Sequence, residues 1–294
     1  MKWKHKVNTT LEGLTGYTLK RSLLVAPRPP APAPPPVLST RAPGDVVRPP
    51  VDPAVDRLLA EPVFLLSSVR SGSTLLRVML NSHSRIHAPH ELHVRRLTVG
   101  LPTEPLRQAM EVLGHSQSDI EHILWDRMLH RELVKSGKDI LVEKTPSNVF
   151  AWKRIRTCWP DARLIFLIRH PMSIAQSWHE ADPEKRPMDE ALRHTLNYMT
   201  YLEEARQKLP GLTVRYESLT QNPEVEVARI CSFLGVAPEP GMLRYGTGGE
   251  DFVKGIGDWR EKIRSGTVQH GRPLPAAEDV PETLHEMCRT WNYM

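Results

Sequence analysis

Short apolar runs, each followed by polar residues, constrain the fold of this chain more than any other feature. Four such runs are PVFLLSS (62–68), DILVE (139–143), ARLIFLI (162–168) and LTVRYESL (212–219). Runs of this length are typical of strands that are buried on both faces of a parallel sheet. Helical patterns alternate with them, near residues 104–113, 117–135, 147–158, 187–208 and 222–236. The alternation predicts an α/β fold, with a P-loop-like central parallel sheet flanked by helices.

Polar residues cluster where three of these predicted strands end. VRSGST follows the first strand, EKTP closes the second, and RHPMS follows the third. In open α/β sheets, ligands bind outside the carboxyl ends of the strands, where the loops carry the polar groups. Because the clusters contain cations and hydroxyls, the sequence predicts one anion-binding site at this edge of the sheet.

The first cluster has the composition of a phosphate-binding loop. Small residues allow backbone N–H groups to approach an oxyanion closely, and the helix predicted to follow adds positive potential at its N-terminus. Arg70 supplies a cation, and Ser71, Ser73 and Thr74 supply hydroxyls. An ordinary turn between a strand and a helix is the alternative interpretation. The loop is not of the Walker A type, because arginine and valine stand where that motif requires glycine and lysine.

Two further cations lie at predicted strand ends. Arg169 follows the third strand, with Ser177 eight residues later in the next predicted helix, and Lys144 follows the second strand. Taken alone, each cation would be interpreted as a solvated or ion-paired surface residue. Their joint position at one edge of the sheet favours a role in ligand binding.

Three histidines, His87, His90 and His93, raise the question of a metal site. Glu91 lies among them, but the spacing differs from H-E-x-x-H, since only two residues separate His90 from His93. The three cysteines of the chain contain no C-x-x-C pair. We therefore predict that the protein binds no metal.

Composition bounds the class of protein and its location. The chain has 294 residues and a formal net charge of +5, which favours anionic partners. Residues 1–54 combine a basic start with a proline-rich segment typical of a linker, so one folded domain is predicted over residues 55–294. With no transmembrane segment in the sequence and three widely spaced cysteines, we predict a cytoplasmic protein with reduced thiols. The oligomeric state is left open, a homo-oligomer included.

Four segments, in order, resemble the motifs of sulfotransferases that use 3′-phosphoadenosine 5′-phosphosulfate (PAPS). RSGSTLLRVMLNSH is similar to the loop that binds the 5′-phosphosulfate, and LIFLIRHPMSIAQSW to the motif that binds the 3′-phosphate. VRYESLTQNPEVEVARICSFLGV and FVKGIGDWREKI resemble two later segments of that family. The resemblance spans about residues 62–262. It indicates a soluble bacterial member whose Arg-Ser-Gly loop is like that of the tyrosylprotein branch.

The resemblance implies a nucleotide-binding role for each matching residue. The 5′-phosphosulfate would be bound by Arg70, Ser71, Gly72, Ser73 and Thr74. The 3′-phosphate would be bound by Arg169 and Ser177, with help from Lys254 and Gly255, and Tyr216 would lie near the adenine. One departure is Leu75, which stands where cytosolic members have an aromatic residue that stacks on the adenine. The adenine would therefore be held differently here.

The resemblance also implies three catalytic residues. Glu91 stands 21 residues after Arg70, where the tyrosylprotein branch has its catalytic base, and His90 is the alternative base. Arg70 would stabilise the leaving phosphate, and Lys144 would lie near the transferred group.

The predicted function is transfer of a sulfuryl group from PAPS to a hydroxyl of a small-molecule acceptor, either a phenol or a sugar. Neither a metal nor a general acid is required, because the leaving group is already a good one. One alternative is an enzyme of the same fold whose donor is an aryl sulfate or a nucleoside phosphate. Another is a non-catalytic module that binds anions or nucleic acid. The low aromatic content of 6% and the absence of a basic stripe disfavour nucleic acid as a partner.

Overall fold

The computed structural model describes residues 52–245 and 265–294. Lys254, Gly255 and residues 1–51 therefore lie outside the described residues, and the predicted boundary at residue 54 stays a prediction. The strands are β1 (Val63–Ser67), β2 (Ile86–His87), β3 (Ile140–Glu143), β4 (Arg163–Ile168) and β5 (Leu212–Arg215). The helices are α1 (Pro53–Asp56), α2 (Ser73–Asn81), α3 (Glu104–Val112), α4 (Gln117–Ser136), α5 (Trp152–Cys158), α6 (Pro171–His179), α7 (Met188–Lys208), α8 (Tyr216–Gln221), α9 (Pro223–Leu234) and α10 (Glu282–Thr290).

Within the described residues, the five strands form one parallel sheet in the order β2-β3-β1-β4-β5. The predicted α/β fold with a central parallel sheet is thus confirmed. β1 lies in the middle, where Val63 pairs with Val142 of β3 and with Arg163 of β4. After β1 the chain crosses to β2 on one side, and after β4 it continues to β5 on the other. The loops that follow β1 and β4 diverge, which is the arrangement that opens a ligand crevice in such sheets.

Both faces of the sheet are covered by helices. Along β1, Phe64 and Leu66 contribute to a core beneath α4, α5, α7 and α10, whereas Val63 and Leu65 contribute to a core beneath α2 and α9. Successive side chains of a strand point to opposite faces, so a strand between two cores must be apolar throughout. This explains why β1 reads as a continuous apolar run.

The predicted fourth strand, residues 212–219, is wrong beyond Arg215. β5 pairs with β4 only as far as Arg215 opposite Ile168, where β4 itself ends. Beyond that point the described chain offers no partner strand in the ladder, and residues 216–221 form α8, whose Leu219 and Thr220 are buried. Tyr216 is therefore the first residue of a helix at the carboxyl edge of the sheet.

Other differences are smaller. The helix predicted over residues 147–158 begins as a 3-10 turn, Pro146–Ala151, and only then becomes α5. β2 has two residues, too few to show a pattern, and neither β2 nor α10 was predicted. Gly235 ends α9 in the left-handed conformation that is common after the last turn of a helix.

The three cysteines, Cys158, Cys231 and Cys288, are each fully buried and form no disulfide. Their separate positions in α5, α9 and α10 place them on both sides of the sheet. In the described parts of the chain, no helix combines the length and apolarity needed to cross a membrane.

Candidate active site

The loop between β1 and α2 has the geometry of an anion cradle. Arg70 and Gly72 both adopt left-handed backbone conformations, with φ of 61° and 90°. Gly72 is the residue that precedes α2, and among the described residues no side chain caps this helix. The first N–H groups of an uncapped helix have no intrahelical acceptors and carry the positive end of the helix dipole. An oxyanion fits this position.

The hydroxyl groups of the loop differ in what they do. Ser71 Oγ donates a hydrogen bond to the Ser68 carbonyl at 2.7 Å, so this hydroxyl fixes the loop from within. Ser73 and Thr74 lie in the first turn of α2 and are nearly buried. Ser67 Oγ and Ser68 Oγ are buried and have no hydrogen-bond partner among the described residues. Ser67 ends β1 and Ser68 follows it, so the sequence analysis counted both serines with the predicted strand and gave neither a role.

Gly72 lies directly against the ring of Tyr216. A Cβ atom at Gly72 would come within 2.3 Å of Tyr216 Cδ2, well inside van der Waals contact. The ring also carries the Arg169 guanidinium, whose Cζ is 4.4 Å from the ring centroid. Tyr216 therefore joins the loop after β1 to the loop after β4.

Replacing Gly72 by alanine is expected to lower the free energy of unfolding by about 1–3 kcal/mol, because the new side chain meets both backbone strain and Tyr216. Gly137 provides a matched control, since it also has a left-handed backbone, with φ of 66°, but a Cβ atom added there would meet no other group within 4 Å. Chemical denaturation of both variants would measure the difference. If Gly72→Ala and Gly137→Ala lost equal free energy of unfolding, the Tyr216 ring would have to move aside without destabilising the protein.

Arg70, Arg169 and Ser177 come together from three elements. Arg169 Nη1 donates to the Arg70 carbonyl at 2.8 Å, and Arg70 Nε donates to Ser177 Oγ at 3.1 Å. Burial lowers the pKa of Arg169, while Tyr216 and Glu217 oppose that effect. The residues expected to bind a 3′-phosphate thus contact the loop expected to bind the 5′ end. The Arg70 guanidinium lies on the Ser177 side of the loop.

Glu217 and Tyr293 support this junction and were missed by the sequence analysis. Glu217 Oε1 accepts the N–H of His170 at 3.0 Å, and its Oε2 accepts the hydroxyl of Tyr293 at 2.6 Å. These contacts fix the backbone just after Arg169. Tyr293 is 76 residues from Glu217, so no local pattern could have paired them.

Glu91 and Lys144 form an ion pair at the end of β3. Lys144 Nζ donates to Glu91 Oε1 at 2.5 Å, and His93 Nε2 lies 3.5 Å from Glu91 Oε2. The Lys144 side chain is 1% exposed, and that of Glu91 is 14% exposed. Burial lowers the pKa of Lys144, and the charge of Glu91 opposes this. His90, the alternative base, is partly buried in the same segment.

Arg77, in α2, connects the two groups of residues. Its Nη1 donates to the Ala88 carbonyl at 3.0 Å, at the start of the segment that carries Glu91. Its charge also lowers the pKa of Lys144. Arg77 lies inside the RSGSTLLR stretch, but nothing in that stretch indicated this contact. In the ranges that the structure describes, no three His, Cys, Asp or Glu side chains are grouped to hold a metal ion.

A parallel sheet covered by helices on both faces, with a glycine-containing loop and cations at its central crevice, defines an α/β protein of the kind that binds ligands at this edge of the sheet. The chain belongs to the sulfotransferase family, whose model matches residues 62–240.

A curated relative and two solved structures show how distant the similarity is. The nodulation protein NoeE of Sinorhizobium fredii (strain NBRC 101917 / NGR234) is 26% identical over 209 residues, which is 60% of this chain and 50% of that protein. The chain thus spans half the length of that relative. The sulfotransferase domain from the curacin biosynthetic pathway superposes with a TM-score of 0.59 at 22% identity, covering 80% of this chain and 99% of that one. The sulfotransferase domain from the Synechococcus PCC 7002 olefin synthase gives 0.56 at 23% identity, covering 81% and 98%. Both structures share the fold.

Proposed function

We propose that this protein is a PAPS-dependent sulfotransferase that transfers a sulfuryl group to a hydroxyl of a small-molecule acceptor, acting in the cytoplasm. The junction of Arg70, Arg169 and Ser177 carries the proposal. It joins the glycine-containing loop to a second, partly buried cation, which suits a nucleotide that has anionic groups at both its 5′ and 3′ positions. Membership of the family supports the same reaction class.

Different residues of the site would bind the two ends of the nucleotide. The uncapped N-terminus of α2, with Ser73 and Thr74, would hold the 5′-phosphosulfate. Arg169 and Ser177 would hold the 3′-phosphate, and Tyr216 would flank the adenine. The Arg70 guanidinium, which contacts Ser177, would neutralise charge between the two ends.

In the proposed reaction, bound PAPS would supply the sulfuryl group. Glu91 takes the proton of the acceptor hydroxyl while the acceptor oxygen bonds to sulfur and the bond from sulfur to the phosphate oxygen breaks. The products are a sulfate ester and adenosine 3′,5′-bisphosphate. Lys144 orients the Glu91 carboxylate and contributes positive charge where negative charge grows on the leaving phosphate.

Arg95, four residues after Glu91, lies beside a pair of aromatic rings, which favours a phenol over a sugar as the acceptor. The Phe150 and Tyr198 rings contact at 4.6 Å between centroids, and the Arg95 Cζ atom lies 5.4 Å from the Phe150 centroid. Burial raises the pKa of Tyr198, the charges of Arg95 and Arg96 lower it, and the charge of Glu91 raises it. A phenol, with a pKa of about 10, also asks less of a carboxylate base than an aliphatic alcohol does.

The test is transfer from radiolabelled PAPS to a panel of phenols, sugars, nucleosides and tyrosyl peptides in the presence of EDTA. We expect labelled phenyl sulfates and no effect of the chelator. Turnover that EDTA abolishes and Zn²⁺ restores would contradict the metal-free reaction. Transfer from an aryl sulfate or nucleoside phosphate, but not from PAPS, would support the alternative donor. Salt-dependent oligonucleotide binding without any product would support the nucleic-acid module.

A further inference from the structure

Glu143, the last residue of β3, is a buried carboxylate at the centre of a hydrogen-bond cluster. Its side chain accepts the Thr145 hydroxyl at 2.6 Å and the amide group of Asn148. Glu143 is 1% exposed, so these two donors replace the water that its carboxylate would otherwise bind.

Two short segments meet through this cluster. Lys144 donates to the Glu91 carboxylate, and Thr145 Oγ1, which donates to Glu143, accepts the His93 N–H at 3.2 Å. Residues 88–93 belong to no helix or strand, so no regular hydrogen-bond ladder holds them. His93 has a φ of 50°, a conformation that non-glycine residues keep only when their surroundings impose it. The end of β3 therefore fixes the segment that carries Glu91.

We propose that Glu143 is a positioning residue, whose ionised carboxylate holds the Thr145 hydroxyl against the His93 N–H and so keeps Glu91 in place against the acceptor. The proposal rests on the proposed function, in which Glu91 is the base. Glu143 itself does not contact the reacting atoms. It acts through the backbone of residues 91–93, together with its neighbours Lys144 and Thr145.

The surroundings of Glu143 make its hydrogen bond with Thr145 sensitive to pH. Burial raises the pKa of Glu143 to about 7, while Thr145, Lys144 and the Leu92 N–H lower it and the charge of Glu91 raises it. Asn148 faces its second oxygen, and Arg77 acts on neighbouring Lys144. A protonated Glu143 has a donor where the Thr145 and Asn148 side chains also donate. We therefore expect kcat to rise with pH through about 7.

The free energy of unfolding is expected to change with pH in the direction opposite to kcat. The pKa of Glu143 is higher in the folded protein than its ordinary value of 4.5, so the folded state binds more protons between these two values. The contribution of Glu143 to the free energy of unfolding therefore decreases as pH rises from about 4.5 through about 7. A merely structural carboxylate with an ordinary pKa would not give this pair of opposite trends.

The test compares Glu143→Gln with the wild-type protein between pH 5.5 and 8.5. We expect kcat to fall about 10- to 100-fold at pH 8, the step near pH 7 to disappear, and the affinity for adenosine 3′,5′-bisphosphate to change less than about twofold. Glu203→Gln is the matched control, since Glu203 is also buried and accepts the Trp291 indole N–H, but on α7. An unchanged kcat and pH profile in Glu143→Gln would overturn the proposal.

Two further measurements keep the outcome unambiguous. Amide exchange at His93, compared at equal pH, should be about tenfold faster or more in Glu143→Gln than in wild type, and it needs no turnover. Equal exchange would overturn the proposal even if no acceptor is found, whereas faster exchange without any sulfuryl transfer would leave the failure with the proposed function. If Glu143→Gln does not fold, Thr145→Val removes the acceptor of the His93 N–H and should give the same loss of kcat.

Discussion

Replacing Glu91 by glutamine is expected to lower the turnover number for sulfuryl transfer by about 10²- to 10⁴-fold, the usual contribution of a positioned general base. Glutamine keeps an oxygen for Lys144 Nζ but cannot accept the acceptor proton. Lys144 is 1% exposed, so this choice avoids leaving its charge without a hydrogen-bond acceptor, as alanine would. Steady-state kinetics with saturating PAPS would measure the change, and the KM for PAPS should be nearly unchanged.

His90→Ala and Glu104→Gln are the controls for this experiment. His90 is the alternative base in the same segment, and Glu104 is an exposed glutamate on α3. A large loss in His90→Ala, with Glu91→Gln near wild-type activity, would move the role of base to His90. A loss in both would indicate that the segment acts as a unit. Glu104→Gln should behave as wild type in either case.

Replacing Arg169 by alanine is expected to weaken binding of adenosine 3′,5′-bisphosphate by about 10- to 100-fold, since a hydrogen bond to a charged group contributes about 1.5–3 kcal/mol. The variant loses a cation held over the Tyr216 ring and the hydrogen bond to the Arg70 carbonyl. Isothermal titration calorimetry would measure the affinity directly. Adenosine 5′-phosphosulfate, which lacks the 3′-phosphate, should bind wild type and Arg169→Ala with similar affinity.

Arg193→Ala is the matched control, because Arg193 lies on the exposed face of α7 and pairs only with Asp189 among the contacts described there. Arg169→Lys keeps the charge but loses the planar, multiply donating guanidinium, so we expect an intermediate affinity. Wild-type affinity in Arg169→Ala would contradict the assigned 3′-phosphate site. The junction of Arg70, Arg169 and Ser177 would then no longer support PAPS as the donor.

The sheet was predictable from the sequence because its central strands are buried on both faces. β1, β3 and β4 appear in the sequence as continuous apolar runs. The prediction that the fourth strand extends to residue 219 was wrong because the neighbouring strand determines where β5 ends. β4 ends opposite Arg215, and no pattern within residues 212–219 indicates that end.

The candidate site was predictable where a residue type has a local reason. Gly72 has a left-handed backbone, which favours glycine, and Arg169 directly follows a buried strand. The supporting residues were not predictable, because each acts through a contact that no local sequence pattern indicates. Glu217 accepts the Tyr293 hydroxyl, Thr145 beside Glu143 accepts the His93 N–H, and Arg77 donates to the carbonyl of Ala88. Such pairs exist only once the fold has brought their elements together.

Because all three cysteines are buried, their reaction with a thiol reagent would report local opening of the fold. Burial raises the pKa of Cys231 to about 11 and also raises that of Cys288, so neither thiol reacts readily while the protein is closed. A thiol reagent should therefore modify the chain only as fast as its helices detach from the sheet. Cys231 in α9 and Cys288 in α10 would time that detachment separately on the two faces, without any added dye or tag.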